Sequence, residues 1–209
     1  MKIQITGASG AGKTYLGHCL SQKTGFIHID TDDILWVWDT NIQPYTVSIS
    51  EQEACEKLKH YIEGNKNLIA TGLFYPWAEE LIEDFDLVIN LITSTKIRKQ
   101  RILDREILMY GDRVSDDGDM YLQFQSFVEW ACNYDSHDDK YGSKEATNNW
   151  IKKFNCPVIT LDGSNSIEYN IETIEKYINI TIHKDLGDEN YDNSQKIKKR
   201  WRCRHCKFI

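Results

Sequence analysis

Residues 7–14 read Gly7-Ala8-Ser9-Gly10-Ala11-Gly12-Lys13-Thr14, a glycine turn closed by a lysine and a hydroxyl. The apolar stretch Ile3-Gln4-Ile5 leads into it, and a helical pattern starts near Lys13. A strand therefore delivers the chain to a tight turn, and a helix leaves it. Backbone N–H groups of such a turn converge on one point, and the positive N-terminal end of the helix adds to them. Gly7, Ser9, Gly10, Ala11, Gly12, Lys13, Thr14 and Tyr15 are expected to surround a polyphosphate. In this pattern the lysine reaches the β- and γ-phosphates and the hydroxyl takes Mg²⁺. A plain glycine-rich turn before a helix would not require Lys-Thr directly after its last glycine.

The rest of the chain alternates apolar runs with helical patterns, which predicts a parallel sheet with crossover helices. Strands are expected at Lys2–Thr6, Phe26–Ile29, Asn67–Thr71, Leu87–Leu91 and Pro157–Leu161. Helices are expected from about Lys13 to Lys23, Glu51 to Glu63, Thr95 to Tyr110, Leu122 to Tyr134, Lys144 to Phe154 and Ile167 to Ile178. Gly111, Gly118 and the aspartates around them predict a mobile loop, part of a lid over about 106–122. A chain of 209 residues suits one such domain, here 1–182, followed by a polar linker and a basic tail over 183–209.

Composition narrows the class. Hydrophobic residues make up 41% and charged residues 27%, enough for a packed core. No apolar run approaches the length of a bilayer span, so no membrane partner is expected. The first residues enter the phosphate turn directly and leave no room for a signal peptide. Four of the six cysteines, Cys19, Cys55, Cys132 and Cys156, lie in core-like segments, which fits a reduced, cytoplasmic protein. Seven basic residues and no acidic one lie between Lys196 and Lys207; the remaining 18 basic residues face 32 acidic ones, a net charge of −14. The tail either folds back on its acidic body or seeks an external polyanion such as nucleic acid. Cys203-Arg204-His205-Cys206 supplies three of the four ligands that a structural zinc site needs, and exposed thiols on a tail are the default reading.

Ligands of open α/β sheets bind beyond the carboxyl ends of the strands. The second strand ends in His28-Ile29-Asp30-Thr31-Asp32-Asp33. Asp30 and Asp32, two residues apart, can face one direction beside the phosphate turn. Paired carboxylates there serve Mg²⁺ or take the proton of an acceptor hydroxyl. Asp33 or Asp32 is equally open to capping a helix that starts near Ile34. After the fourth strand, Arg101 and Arg105 share a helix face, Arg98 lies one turn earlier and Arg113 lies in the loop beyond. Guanidinium groups stabilise the charge that develops on a transferring phosphoryl group. The alternative is a solvated face paired with Asp104 and Glu106. Trp36, Trp38, Tyr45, Phe74, Tyr75 and Trp77 are expected together, either to stack on an acceptor or to pack a small subdomain.

With GASGAGKT at the start, D-T-D after the second strand, Gly72 after the third and R-x-x-R-x-x-x-R before a glycine-containing loop, the chain resembles the small P-loop kinases of the adenylate kinase and shikimate kinase type. The resemblance covers roughly Met1 to Ile178. It implies an α/β three-layer P-loop fold with a five-stranded parallel sheet of order 2-3-1-4-5, ATP as donor, Mg²⁺, a helical lid and a small-molecule phosphoryl acceptor. It implies that Lys13, Asp30, Asp32, Arg101 and Arg105 carry the chemistry. Thr14, Asp30 and Asp32 would hold the metal, and Arg105 and Arg113 would meet the nucleotide. The lone Gly72 and the lack of an arginine between Trp36 and Ala70 speak against shikimate as acceptor. Neither the third nor the fourth strand ends in an acid, which weakens a motor-type ATPase reading. A kinase acting on a polynucleotide end or a hydroxymethylated base, and a non-catalytic ATP sensor, are the competing functions. The stretch from Gly111-Asp112-Arg113 through Gly118-Asp119-Met120 to Trp130 and Tyr134 also resembles an uncharacterised branch of this superfamily.

Overall fold

A computed structural model of the chain describes residues 1–39, 43–137 and 142–185. The chain runs through β1 (Lys2–Thr6), α1 (Lys13–Thr24), β2 (Ile27–Asp30), α2 (Thr31–Leu35), α3 (Glu51–Gly64), β3 (Leu68–Thr71), β4 (Leu87–Ile92), α4 (Thr95–Tyr110), α5 (Tyr121–Cys132), α6 (Lys144–Ile151), β5 (Val158–Asp162) and α7 (Ile167–Asp185). The strands form one five-stranded parallel sheet in the order β2-β3-β1-β4-β5. The alternating pattern predicted a parallel sheet, and the family resemblance implied this strand order.

Strand residues alternate between the two faces of a sheet. Leu68, Ala70 and Val88 point to one side, into a core with Ala54, Leu58 and Ile62 of α3, Trp150 of α6, Phe74 and Phe85. Ile69, Leu87, Ile89 and Leu91 point to the other side, against Leu16 and Leu20 of α1 and Ile174 and Ile178 of α7. Three layers result, with β1 in the middle and Ile3 and Ile5 fully buried. Each such aliphatic side chain contributes roughly 1.5–3 kcal/mol by leaving water. β2 begins and ends one residue later than its sequence pattern suggested, because Asp30 pairs opposite Thr71. The short α2 behind it is too brief to leave a periodic signal.

A third core lies outside the sheet. Ile102 of α4 packs with Val114, Met120, Phe124, Val128 and Ala131. The segment between α4 and α5, where the sequence places a lid loop, is a set of linked turns with Val114 and Met120 packed into this core. Arg113 accepts the Met120 amide through its carbonyl at 2.9 Å, and its guanidinium grips Asp119 with two bonds of 3.0 and 2.8 Å. Two apolar anchors in a polar run were too sparse to register as a packing pattern. α7 continues to Asp185, past Ile178 and into the segment read as linker. The remainder of that linker and the basic tail, with Cys203, His205 and Cys206, lie outside the described residues. No helix among the described residues is long and apolar enough to cross a membrane.

Candidate active site

β1 ends at Thr6, and Gly7 turns the chain sharply with φ 142°. A side chain at Gly7 would place its Cβ 2.3 Å from the Leu91 carbonyl oxygen, so only glycine lets the loop lie against β4. The loop closes on itself where the Ala11 amide donates to the Ala8 carbonyl at 3.1 Å. α1 then begins behind Gly12, which offers no side-chain cap, and no acidic residue occupies the first turn. The first amides of a helix have no carbonyl a turn earlier to bond. The positive end of α1 is therefore left for an anion. Lys13 bends back over this loop, its Nζ donating to the Ala8 carbonyl at 3.0 Å. Burial pushes its pKa down, and the carboxylates of Asp32 and Asp30 pull it part of the way back.

β2 delivers two carboxylates beside that loop. Asp30 joins three pieces of backbone. Its Oδ2 accepts the Thr14 hydroxyl at 2.6 Å, and its Oδ1 accepts the Asp32 amide at 3.1 Å, which caps α2. The cap is thus Asp30, not Asp32 or Asp33, because the helix starts at Thr31 rather than near Ile34. Asp32 is held by that first turn. Burial and the neighbouring Asp30 raise its pKa to about 6, with Lys13 opposing the rise. Gly72 behind them admits the pair: a Cβ there would lie 2.2 Å from the Thr31 hydroxyl.

α4 lines its arginines along one face with three different outcomes. Arg98 is buried, and its guanidinium donates to the carbonyls of Thr93, Ala131 and Ser9, to the Thr95 hydroxyl and to Asp135 Oδ2. It ties the phosphate loop to the C-terminal end of α5. Arg101 donates to the Ala11 carbonyl at 3.0 Å and the Gly163 carbonyl at 2.9 Å, bracing the loop from outside. Arg105 stands at the mouth of the site, paired with Glu106 and 5.9 Å from the Phe127 ring, and its charge is felt by Lys13, Asp32 and Tyr45. Nucleotide contact by Arg113 would require exchange of its fork with Asp119. The bracing role of Arg98 was invisible in sequence, since Ala131 and Asp135 lie 33 and 37 residues away.

The six aromatics expected in one group fall into two. Phe74, Tyr75 and Trp77 pack with Phe85, Trp150 and Phe154 in the sheet core. Trp36 and Trp38 meet Tyr45 edge-on at 5.8 and 5.0 Å, and Tyr45 stacks on Phe127 of α5 at 6.4 Å with 17° between planes. Tyr45 has φ 60°, a left-handed conformation that costs a bulky residue roughly 1–3 kcal/mol. Burial and the Asp32 carboxylate both raise the pKa of its hydroxyl. The Gln123 side chain holds the Pro44 carbonyl at 2.8 Å, so this loop is fastened to α5.

The oxygens of Thr14, Asp30 and Asp32 suit Mg²⁺, which keeps several waters and takes one or two carboxylates plus phosphate oxygens. Among the described residues no group of three or more His, Cys, Asp or Glu forms a protein-only metal cage.

The family model described as an AAA domain matches residues 3–117. The chain belongs to that AAA-domain family. Its P-loop kinase-like architecture follows from the loop and the strand order already described. The AAA-domain protein is 30% identical over 176 residues to the "Uncharacterized protein YqaC" of Bacillus subtilis (strain 168), which covers 84% of this chain and 96% of that one. Among solved structures it is similar to shikimate kinase from Aquifex aeolicus, at 14% identity and a TM-score of 0.47, over 87% of this chain and 98% of the other. Deoxyadenosine kinase from M. mycoides with bound dATP is 18% identical, with a TM-score of 0.47, over 86% of this chain and all of the other.

Proposed function

We propose that this protein is an ATP-dependent phosphotransferase that moves the γ-phosphoryl group of ATP to a hydroxyl or phosphate of a small nucleotide- or sugar-like acceptor. One observation carries the reading: an uncapped helix N-terminus under Lys13 lies against the Thr14–Asp30 pair, with Asp32 fixed beside them by its amide bond to Asp30. The α1 amides and Lys13 grip the β- and γ-phosphates. Thr14, Asp30 and Asp32 would hold Mg²⁺, whose chemistry there would be to offset phosphate charge. Asp32 orients the acceptor hydroxyl and takes its proton as the acceptor oxygen bonds to the γ-phosphorus and the bond to ADP breaks. Arg105 neutralises the equatorial oxygens in the transition state. The aromatic group of Trp36, Trp38, Tyr45 and Phe127, which Arg105 approaches at 5.9 Å from the Phe127 ring, would border the acceptor.

A screen with γ-labelled ATP and Mg²⁺ against nucleosides, nucleotides, sugars and hydroxymethylated DNA tests this. Transfer to a small molecule, lost in Asp32→Asn, is the expected result. ATP binding with no transfer to any acceptor would favour a nucleotide sensor. Transfer only to DNA, abolished by removing 196–209 and steeply salt-dependent, would favour a nucleic-acid kinase.

A further inference from the structure

Gln4 lies at the centre of β1 and is fully buried. In register it stands between Ala70 of β3 and Val88 of β4, on the face that packs against α3. A side-chain amide in such a place costs free energy unless its groups are bonded. Its Nε2 donates to the Gly72 carbonyl at 2.7 Å and, at 3.5 Å, to that of Ile5. Its Oε1 has no partner among the described residues. An aliphatic side chain would fill the position without that demand. What Gln4 supplies, and an aliphatic residue would not, is a hold on Gly72. Gly72 leaves β3 at φ 109°. Its amide donates to the Ile5 carbonyl at 3.1 Å and its carbonyl is taken by Gln4, so both sides of the residue are tied to β1. Thr31 and Asp30 lie directly on this point: a Cβ at Gly72 would be 2.2 Å from the Thr31 hydroxyl and 3.4 Å from Asp30 Oδ1.

We propose that Gln4 is a positioning residue: its hold on the Gly72 carbonyl keeps Asp30 seated, with Oδ2 on the Thr14 hydroxyl and Oδ1 on the Asp32 amide. A glycine peptide is the freest in the chain to rotate. Rotation at Gly72 would move the floor under Thr31 and Asp30, and the Thr31 bond to the Thr71 carbonyl leans on the same turn. Gln4 removes that freedom from inside the core, where water does not compete for the carbonyl. The link between Gln4 and Asp30 stands on this geometry alone. Its use in metal binding rests on the phosphotransferase reading, in which Gln4 supports a carboxylate that would hold Mg²⁺ without touching ion or nucleotide itself.

Three variants of the full chain test this. Gln4→Met keeps the length and removes both polar groups. Gln4→Asn keeps the amide but falls one carbon short of Gly72. Ile3→Val loosens the same strand on its opposite face and serves as the control. Amide hydrogen exchange in the ligand-free protein, followed by NMR, is the first readout. The Asp32 amide should exchange about tenfold faster in both Gln4 variants and within about twofold of the unsubstituted protein in Ile3→Val. Calorimetry with ATP is the second. Both Gln4 variants should bind ATP about tenfold more weakly with Mg²⁺ and within about twofold in EDTA. The melting temperature of Gln4→Met should lie within about 3 °C of the unsubstituted protein, because the bond lost by Gly72 is offset by removal of the unbonded Oε1. Unchanged exchange at Asp32 in both Gln4 variants overturns the proposal. So does exchange that rises equally in Ile3→Val, or ATP binding weakened equally with and without Mg²⁺, since either marks a general loss of packing. A Gln4→Met chain that fails to fold would make the residue a prop of the sheet and overturn it too. If the unsubstituted protein binds no ATP, the phosphotransferase reading falls, and exchange at Asp32 still decides whether Gln4 seats Asp30.

Discussion

The Thr14 hydroxyl donates to Asp30 Oδ2 at 2.6 Å, joining the first turn of α1 to the last residue of β2. The bond crosses from the centre of the sheet to its edge strand and fixes the spacing between phosphate loop and carboxylates. Loss of either partner should be felt first in metal dependence. Thr14→Ala and Asp30→Asn are expected to raise the Mg²⁺ concentration for half-maximal activity by about 10–100-fold, with Thr14→Ser close to the unsubstituted protein. Titrating Mg²⁺ at saturating ATP measures this. Unchanged metal dependence in both variants would remove the pair from the metal site.

Lys13→Ala should cost about 10²–10³-fold in turnover, since the ammonium faces the charge that develops on the transferred group. Its melting temperature should change little. The ammonium gains one carbonyl bond while burial pushes its pKa down, so its net contribution to folding is small. Turnover near that of the unsubstituted protein would contradict the loop's role.

The phosphate loop, the five strands and the Asp30–Asp32 spacing were legible because each is written in fewer than ten consecutive residues or in a simple period, whereas the strand order came from the family resemblance. The long-range fastenings were not. Nothing near Arg98 announces that it will bind carbonyls of Ser9 and Ala131, and nothing near Tyr45 announces Phe127. Both contacts arise only once α4 and α5 pack across the end of the sheet. The aromatics divided for the same reason: Phe74 and Trp77 follow β3 into the core, whereas Tyr45 lies on the loop before α3. Asp30 illustrates the limit of local rules. The motif named it a metal ligand, and the start of α2 one residue later also makes it a cap.

Arg98 predicts a stability defect rather than a catalytic one. Arg98→Met leaves the carbonyls of Thr93 and Ala131 without their donor in a dry place and releases Asp135. Asp135 itself is half exposed and can be rehydrated, so the carbonyls dominate. A loss of about 2–4 kcal/mol is expected in urea unfolding. Arg98→Lys should recover less than half of it, because one ammonium cannot bond in all the directions the fork serves.

Asp32 makes opposite demands on stability and activity. Its folded pKa, about 6, lies above the ordinary value of 3.8, so the folded protein binds a proton more tightly than the unfolded chain. Its contribution to stability is therefore fully present below pH 3.8 and is lost as pH rises through 6. At pH 7.5 the partly buried carboxylate is a net cost. Asp32→Asn should stabilise the protein by about 1–3 kcal/mol there, and the gain should shrink toward zero near pH 4. Activity runs the other way. The base must be ionised, so kcat/KM should fall on the acid side, at a pH no higher than about 6 because Mg²⁺ held at the site would favour the carboxylate. Paired urea melts and rate profiles from pH 4.5 to 8 measure both. A variant that is less stable at pH 7.5 would show that the Asp32 carboxylate is not held at a cost, and a rate profile flat down to pH 4.5 would show that Asp32 is not the base. Agreement on both counts would identify the group that the fold keeps charged against its own stability.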